Sequence, residues 1–232
     1  MAAQLYGVGV GPGDPELITL KAWKIIQQVE VVAYQAAAER QSVARQIVAT
    51  YLSGDQEELC FRFPRALDPV AAKSDYDRAT APIVACLDQG KQVAVLCEGD
   101  PLFYGSFMYL FTRLSDRYVT EVVPGVCSPM AAAAVLGLPL SYRNDVFSVL
   151  SATLAPEQLE AQLLNANAAA IIKLSRHFDK VRQILIKLGL AERARYIECA
   201  TMASQQTMPL LAVDAARVPY FAMVLIPTQA IF

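Results

Sequence analysis

Three short apolar strands in this chain each run directly into a loop built from glycine and proline, and each loop opens a helix. The first loop lies in GVGVGPGDP, where Gly7, Gly9, Gly11 and Gly13 alternate ahead of Asp14 and Pro15. The second is Glu98-Gly99-Asp100-Pro101, and the third is Pro124-Gly125-Val126-Cys127-Ser128-Pro129. Glycine lets backbone approach a ligand closely, and proline fixes the turn so that the approach is reproducible. In open α/β sheets such loops sit at the carboxyl ends of strands, where ligands bind. Any one of them reads equally as a well-capped helix start; three alike predict a binding site.

The rest of the chain continues the alternation. Strands are predicted at residues 4–10, 29–34, 92–96, 118–123, 145–151, 169–174, 195–200 and 220–226. Asp14 is the expected N-cap of the first helix with Pro15 at its first position, and Leu17, Leu20, Trp23 and Ile26 should share one side. Further helices are expected at 42–52, 103–114, after Pro129, at 156–164 and at 178–189. Ser74 with Asp77 resembles a capping box opening a helix to Gly90, with Pro82 as a kink. Residues 57–73 read as irregular and 201–209 as a polar loop. A boundary near 118–123 predicts an N-terminal α/β domain over 1–120 and a C-terminal one over 121–232. There is no internal repeat.

Composition removes several function classes. The chain is 55% hydrophobic, with a mean hydropathy of +0.33. Its most apolar stretches, 130–140 and 218–227, are about half the length of a membrane span. No membrane segment is expected, and the opening MAAQLYGVG lacks the basic and apolar regions of a secretory signal. Five scattered cysteines, none in a CxxC pair, read as reduced thiols of a cytoplasmic protein and not as a metal site. A net charge of −2 gives no footprint for nucleic acid. His177 is the single histidine, so any Ser-His-Asp triad would have to pass through it.

The glycine run does not fit a dinucleotide. The GxGxxG fingerprint presents bare helix N–H groups to a pyrophosphate, whereas here Asp14 would occupy the helix start and repel it. The acidic residue expected at the end of the second strand is also missing, since Tyr34-Gln35 stands there. An NAD-dependent oxidoreductase is disfavoured on these grounds, and no Walker sequence exists. A nucleoside without phosphates fits better, and S-adenosyl-L-methionine, cationic at sulfur, is such a ligand.

GVGVGPGDPELITLKA, VAVLCEGDPLFYGSF and VPGVCSPMAAAAVLGLPL resemble the tetrapyrrole methylases of the cobalamin (vitamin B12) pathway. Further stretches, among them LPLSYRNDVFSVLSATL, IIKLSRHFDKV, YIECATMASQ and VPYFAMVLI, are similar to the precorrin-2 C-20 methyltransferases within that family. The resemblance covers essentially the whole chain. Cys127 stands where the family usually has serine or threonine. The resemblance implies the two-domain tetrapyrrole methylase fold, that of the class III S-adenosylmethionine methyltransferases. It has mixed five-stranded sheets, the active site in the interdomain cleft, and usually a homodimer. It also implies that Pro12, Gly99, Asp100, Pro101, Phe103 and Tyr104 line the cofactor and that Cys127, Ser128, Leu174, Ala200 and Phe221 complete its pocket. The expected product is S-adenosyl-L-homocysteine.

The implied reaction is methyl transfer to carbon 20 of precorrin-2 or its cobalt form. It needs chiefly in-line placement and a base for the departing proton, which the sequence does not identify. The implied tetrapyrrole substrate carries eight carboxylates, suited to bidentate arginines. Arg62, Arg65, Arg143 and Arg176 lie beside expected loops; taken singly each reads as a surface arginine, taken together at least one should contact substrate. His177 reads as a local cap or surface residue, or as a proton carrier. Asp100 reads as a cofactor contact over a simple cap, Tyr104 as facing the cleft over core, and Cys127 as packing over a nucleophile. Competing assignments are a uroporphyrinogen III or other precorrin methyltransferase, a diphthine synthase, a ribosomal-RNA ribose methylase, and a tetrapyrrole-binding carrier without catalysis.

Overall fold

The computed structural model describes residues 3–37, 41–63 and 69–229. Contacts group the chain into two units, Met1–Cys127 and Ser128–Phe232, each built on its own five-stranded sheet.

The first sheet contains β1 (Gln4–Gly9), β2 (Val31–Ala37), β3 (Glu57–Phe63), β4 (Gln92–Cys97) and β5 (Val119–Val123), in the order β3-β2-β4-β1-β5. All four pairings are parallel, which explains why β1 and β4 are apolar on both faces. Leu5 packs with Ile83 and Phe107 on one face, while Tyr6, Val8 and Val10 meet Ala22, Ile26 and Ile47 on the other. Gly7 is a packing requirement: a Cβ there would lie 2.6 Å from Cδ1 of Phe107. Because β5 pairs along β1 from Gln4 to Val8, it belongs to the first unit, and the division follows Cys127 instead of residue 120.

Several local expectations shift for identifiable reasons. Residues 57–63 are the strand β3, not an irregular stretch: they pair in parallel with all of β2, burying Phe61 and exposing Cys60 and Arg62. Asp14 does cap through Oδ1, accepting from Glu16 N at 2.9 Å, but it opens only the single 3-10 turn Pro15–Leu17. Thr19 then caps α1 (Leu20–Gln28) afresh. This restart changes the helical phase, so Ala22 and Ile26 are buried while Leu20 is 77% exposed. The helix predicted over 42–52 divides into α2 (Val43–Ile47), capped by Ser42, and a 3-10 turn, Ala49–Tyr51. The next helix, α3 (Pro69–Asp88), starts before Ser74 and carries Pro82 within it. The helix predicted from residue 103 begins later, as α4 (Phe107–Leu114), because Tyr104 takes a left-handed φ of 54°.

The second unit contains α5 (Ser128–Leu136), β6 (Phe147–Ser151), α6 (Pro156–Leu164), β7 (Ala168–Ile172), α7 (Phe178–Lys187), β8 (Arg195–Glu198), β9 (Gln206–Pro209) and β10 (Ala222–Ile226). Its sheet order is β6-β7-β10-β8-β9; β6 and β7 are parallel, and β10 runs antiparallel to β7 and β8. The expected mixture of strand directions thus lies in this sheet, the first being parallel throughout. The stretch 201–209, read as loop, ends in β9, which pairs antiparallel with β8. Phe178, Leu159, Leu185 and Tyr196 lead the core. No helix among the described residues is long and apolar enough to cross a membrane.

Candidate functional site

In the first unit the three glycine-proline loops leave the carboxyl ends of β1, β4 and β5. The order places β4 beside β1 and β1 beside β5, so the loops are neighbours. They are also bonded together, and the loop after β4 is the hub. Gly99 N donates to Gly11 O at 2.7 Å and Gly11 N donates back to Gly99 O at 3.3 Å. Asp100 Oδ2 accepts from Gly125 N at 3.1 Å, and its Oδ1 accepts from Leu102 N at 2.9 Å. Glu98 Oε1 accepts from Ala44 N at 3.2 Å, at the start of α2. The acids on either side of Gly99 therefore brace opposite directions, one toward the loop after β5 and one toward the helix after β2.

Side chains are excluded from the centre of this knot. A Cβ on Gly9 would stand 2.6 Å from Gly125 N and 2.7 Å from Gly99 O. One on Gly125 would overlap Gly99 O outright, and one on Gly105 would lie 2.6 Å from Pro101 O. Pro12, Gly99 and Pro101 are buried, Asp100, Phe103 and Cys127 half-buried, and Tyr104 exposed with its ring edge-on to Phe103 at 5.1 Å. Burial raises the Glu98 carboxyl, against the lowering effect of its backbone hydrogen bonds. Burial, and then the charge of Asp100, raises the Cys127 thiol, the opposite of an activated nucleophile.

The second unit gathers its expected site residues along one edge of its sheet. Leu174 follows β7, Ala200 follows β8, and Phe221 precedes β10, which runs the other way. Cys199 N donates to Phe221 O at 2.7 Å, joining two of these segments. Leu174 is fully buried and packs in the core. Each of two buried residues is flanked by left-handed, non-glycine neighbours: Lys173 (φ 60°) and Ser175 (31°) around Leu174, Cys199 (51°) and Thr201 (68°) around Ala200. Such conformations concentrate at ligand sites. Ser128, half-buried, begins α5.

The arginines separate. Arg62 is exposed near the end of β3, and Arg176 is exposed beyond β7, its Nε 3.4 Å from His177 Nε2. Burial first, then Lys180 and Arg176, lowers the His177 imidazole below its ordinary value. Arg143 stacks over Tyr142 at 4.9 Å ahead of β6, at the edge away from Leu174 and Ala200. Arg65 lies outside the described residues. Sequence reasoning assigned no site role to Glu98, although it stands inside the quoted loop, nor to Lys173, Ser175, Cys199 and Thr201, whose left-handed backbone carries no compositional mark.

A parallel sheet with interlocked glycine loops, joined in sequence to a second, mixed sheet with strained strand ends, defines a two-unit α/β protein suited to holding a small ligand on backbone. The chain belongs to the tetrapyrrole (corrin/porphyrin) methylases, whose family model matches residues 4–214. It is 42% identical over 231 residues to the cobalamin biosynthesis protein CobIJ of Mycobacterium tuberculosis, covering 96% of this chain but 46% of that protein. The chain thus spans about half the length of that relative. It is 41% identical to a precorrin-2 C(20)-methyltransferase of Sinorhizobium, over 97% of this chain and 95% of the relative. Among solved structures, uroporphyrin-III C-methyl transferase from Thermus thermophilus, complexed with S-adenosylhomocysteine, aligns with a TM-score of 0.70 at 24% identity, covering 96% of each chain.

Proposed function

We propose that this chain is an S-adenosyl-L-methionine-dependent methyltransferase acting on carbon 20 of precorrin-2 or its cobalt form in cobalamin biosynthesis. The observation that carries the reading is the interlocking of the loops after β1, β4 and β5 through Gly99 and Asp100. The donor set fits a phosphate-free nucleoside: it offers backbone groups and carboxylates, and Asp14 already fills the first helical turn that a pyrophosphate would need. The bound cofactor supplies a methyl group activated on a sulfonium.

Pro12, Gly99, Asp100, Pro101, Phe103, Tyr104 and Cys127 hold it in the first unit; Ser128, Leu174, Ala200 and Phe221 are assigned to it on the family resemblance alone. Asp100 also ties the loops together, each of its oxygens accepting from one backbone N–H group. Arg62 and Arg176 pair with substrate carboxylates, with Arg143 expected to matter least and Arg65 assigned on sequence alone. The protein acts in the cytoplasm as a homodimer. Incubation with methyl-labelled cofactor and precorrin-2, metal-free and cobalt-loaded, tests the reading. Label at carbon 20 is the expected result; label at another carbon, or none, contradicts it.

A further inference from the structure

The first unit carries a second feature on the carboxyl edge of its sheet: a cavity of about 460 Å³ between α2 and the ends of β2 and β3. Tyr34, Arg45, Cys60 and Arg62 line it, and the small Ala36 and Ala49 leave room between them. Register fixes its distance from the glycine loops. Leu96 and Cys60 lie on either side of Tyr34, and Arg62 is two residues beyond Cys60 as Glu98 is beyond Leu96. Arg62 therefore stands two strand spacings, about 10 Å, from the chain that enters the Gly99 loop.

The lining offers donors and contains no acid. The carboxylate bound to it, Glu58, is engaged on both oxygens: Oε1 accepts from Arg45 Nη2 at 3.0 Å, and Oε2 accepts from Arg45 Nε at 3.1 Å and from the Tyr34 hydroxyl at 2.5 Å. The bonds from Arg45 and then Tyr34 hold the Glu58 carboxyl below its ordinary value. They also fix the plane of the Arg45 guanidinium, and a fork set in advance loses less freedom for each hydrogen bond it forms. Ser42, the one buried polar residue among those described, lines the cavity too. Its Oγ accepts from Arg45 N at 3.3 Å, so the hydroxyl keeps its own hydrogen to donate. Arg62 is exposed, because Phe61 before it turns into the core. Lining and Glu58 together thus hold two guanidinium charges against one carboxylate.

We propose that this cavity seats one peripheral carboxylate arm of the tetrapyrrole substrate, with Arg62 and Arg45 as its guanidinium partners and the Ser42 hydroxyl as a further donor. The inference rests on the methyltransferase reading for the identity of its ligand. A planar carboxylate matches the guanidinium fork, and the alanine walls admit a short aliphatic arm. The cavity shares the carboxyl edge with the loops assigned to the methyl donor, at a separation that a macrocycle can bridge from its reacting edge to its rim.

Cys60, exposed in the same lining, is the reporter. Its alkylation by iodoacetamide in the whole protein is followed by peptide mass spectrometry, with and without uroporphyrin III, a stable octacarboxylate tetrapyrrole. Saturable protection is expected in the wild type and should need about tenfold more porphyrin in Arg62→Gln, while inorganic phosphate at matched ionic strength gives none. No protection, or equal protection in Arg62→Gln, overturns the site; equal protection by phosphate overturns the tetrapyrrole as its occupant. Kinetics with precorrin-2 form the second arm. KM should rise about tenfold in Arg62→Gln and in Arg45→Gln, with kcat and S-adenosylhomocysteine affinity little changed. An unchanged KM, or a loss confined to kcat, also overturns it. Protection without any methyl transfer to precorrin-2 upholds the cavity and contradicts the methyltransferase reading, whereas transfer without protection contradicts the cavity alone. Should Arg45→Gln fail to fold, Arg62→Gln and the protection of the unaltered protein decide.

Discussion

The loop edge of the first sheet and the edge of the second that carries Leu174, Ala200 and Phe221 reach tight backbone geometry by opposite means. In the first unit, Gly9 and Gly125 let three loops touch where a Cβ would collide with the Gly99 carbonyl. In the second, Lys173, Ser175, Cys199 and Thr201 keep their side chains and accept left-handed φ instead. Absence of a Cβ is a steric device with a steep penalty for change. A left-handed residue is a conformational device costing about 1–2 kcal/mol, held in place by the surrounding fold. The first edge should therefore break when substituted, and the second should relax.

Gly125→Ala presses hardest on this contrast. Its Cβ would overlap Gly99 O, so a stability loss of about 3 kcal/mol, the top of the overpacking range, is expected in urea denaturation, with S-adenosylhomocysteine binding abolished. Wild-type affinity in that variant would refute the interlocked loops. Next in size is Asp100→Ala, which strands the N–H groups of Gly125 and Leu102. A loss of about 1–3 kcal/mol and at least tenfold weaker cofactor binding should follow, measured by denaturation and calorimetry on the same samples.

A control glycine separates sterics from conformation. Gly189 has φ 69° but open space around its missing Cβ. Gly189→Ala should cost only about 1 kcal/mol and leave cofactor binding alone; a cost matching Gly125→Ala would erase the distinction. On the other edge, Cys199→Gly relieves about 1–2 kcal/mol of left-handed strain against about 0.5–1 kcal/mol of added chain entropy. A net gain of roughly half a kcal/mol is expected from these opposing terms, and a loss would mean the φ there is not strained.

Glu98 gives the smallest effect and a pH signature. Its folded carboxyl sits above the ordinary value because of burial, so the folded chain holds a proton that the unfolded chain has released. Stability then falls as pH rises from the ordinary carboxylate range through the folded pKa. Glu98→Gln, which keeps an acceptor for Ala44 N, should be slightly more stable than wild type at neutral pH and indistinguishable in strong acid. Parallel pH–stability curves for the two proteins would remove Glu98 from the buried brace.

The two edges also differ in how far they could be read in advance. Glycine and proline are visible letters, so the loops at Gly9, Gly99 and Gly125 were recognisable as a set. Their mutual hydrogen bonds follow from β1 lying between β4 and β5, a matter of topology. The strained pairs around Leu174 and Ala200 were invisible because serine, lysine, cysteine and threonine carry no letter for positive φ. β3 was missed although its Leu59 and Phe61 alternate with Cys60 and Arg62, since Pro64 and the charges around it read as irregular. The phase of α1 was lost at the unforeseen restart on Thr19.

The central claim is that the loop edge of the first sheet holds a methyl donor. Calorimetric titration of the intact protein with S-adenosylhomocysteine, beside a matched titration with NAD, tests it most directly. The account predicts saturable heat from S-adenosylhomocysteine, lost in Gly125→Ala, and none from NAD. Tight binding of NAD with no response to S-adenosylhomocysteine would contradict it.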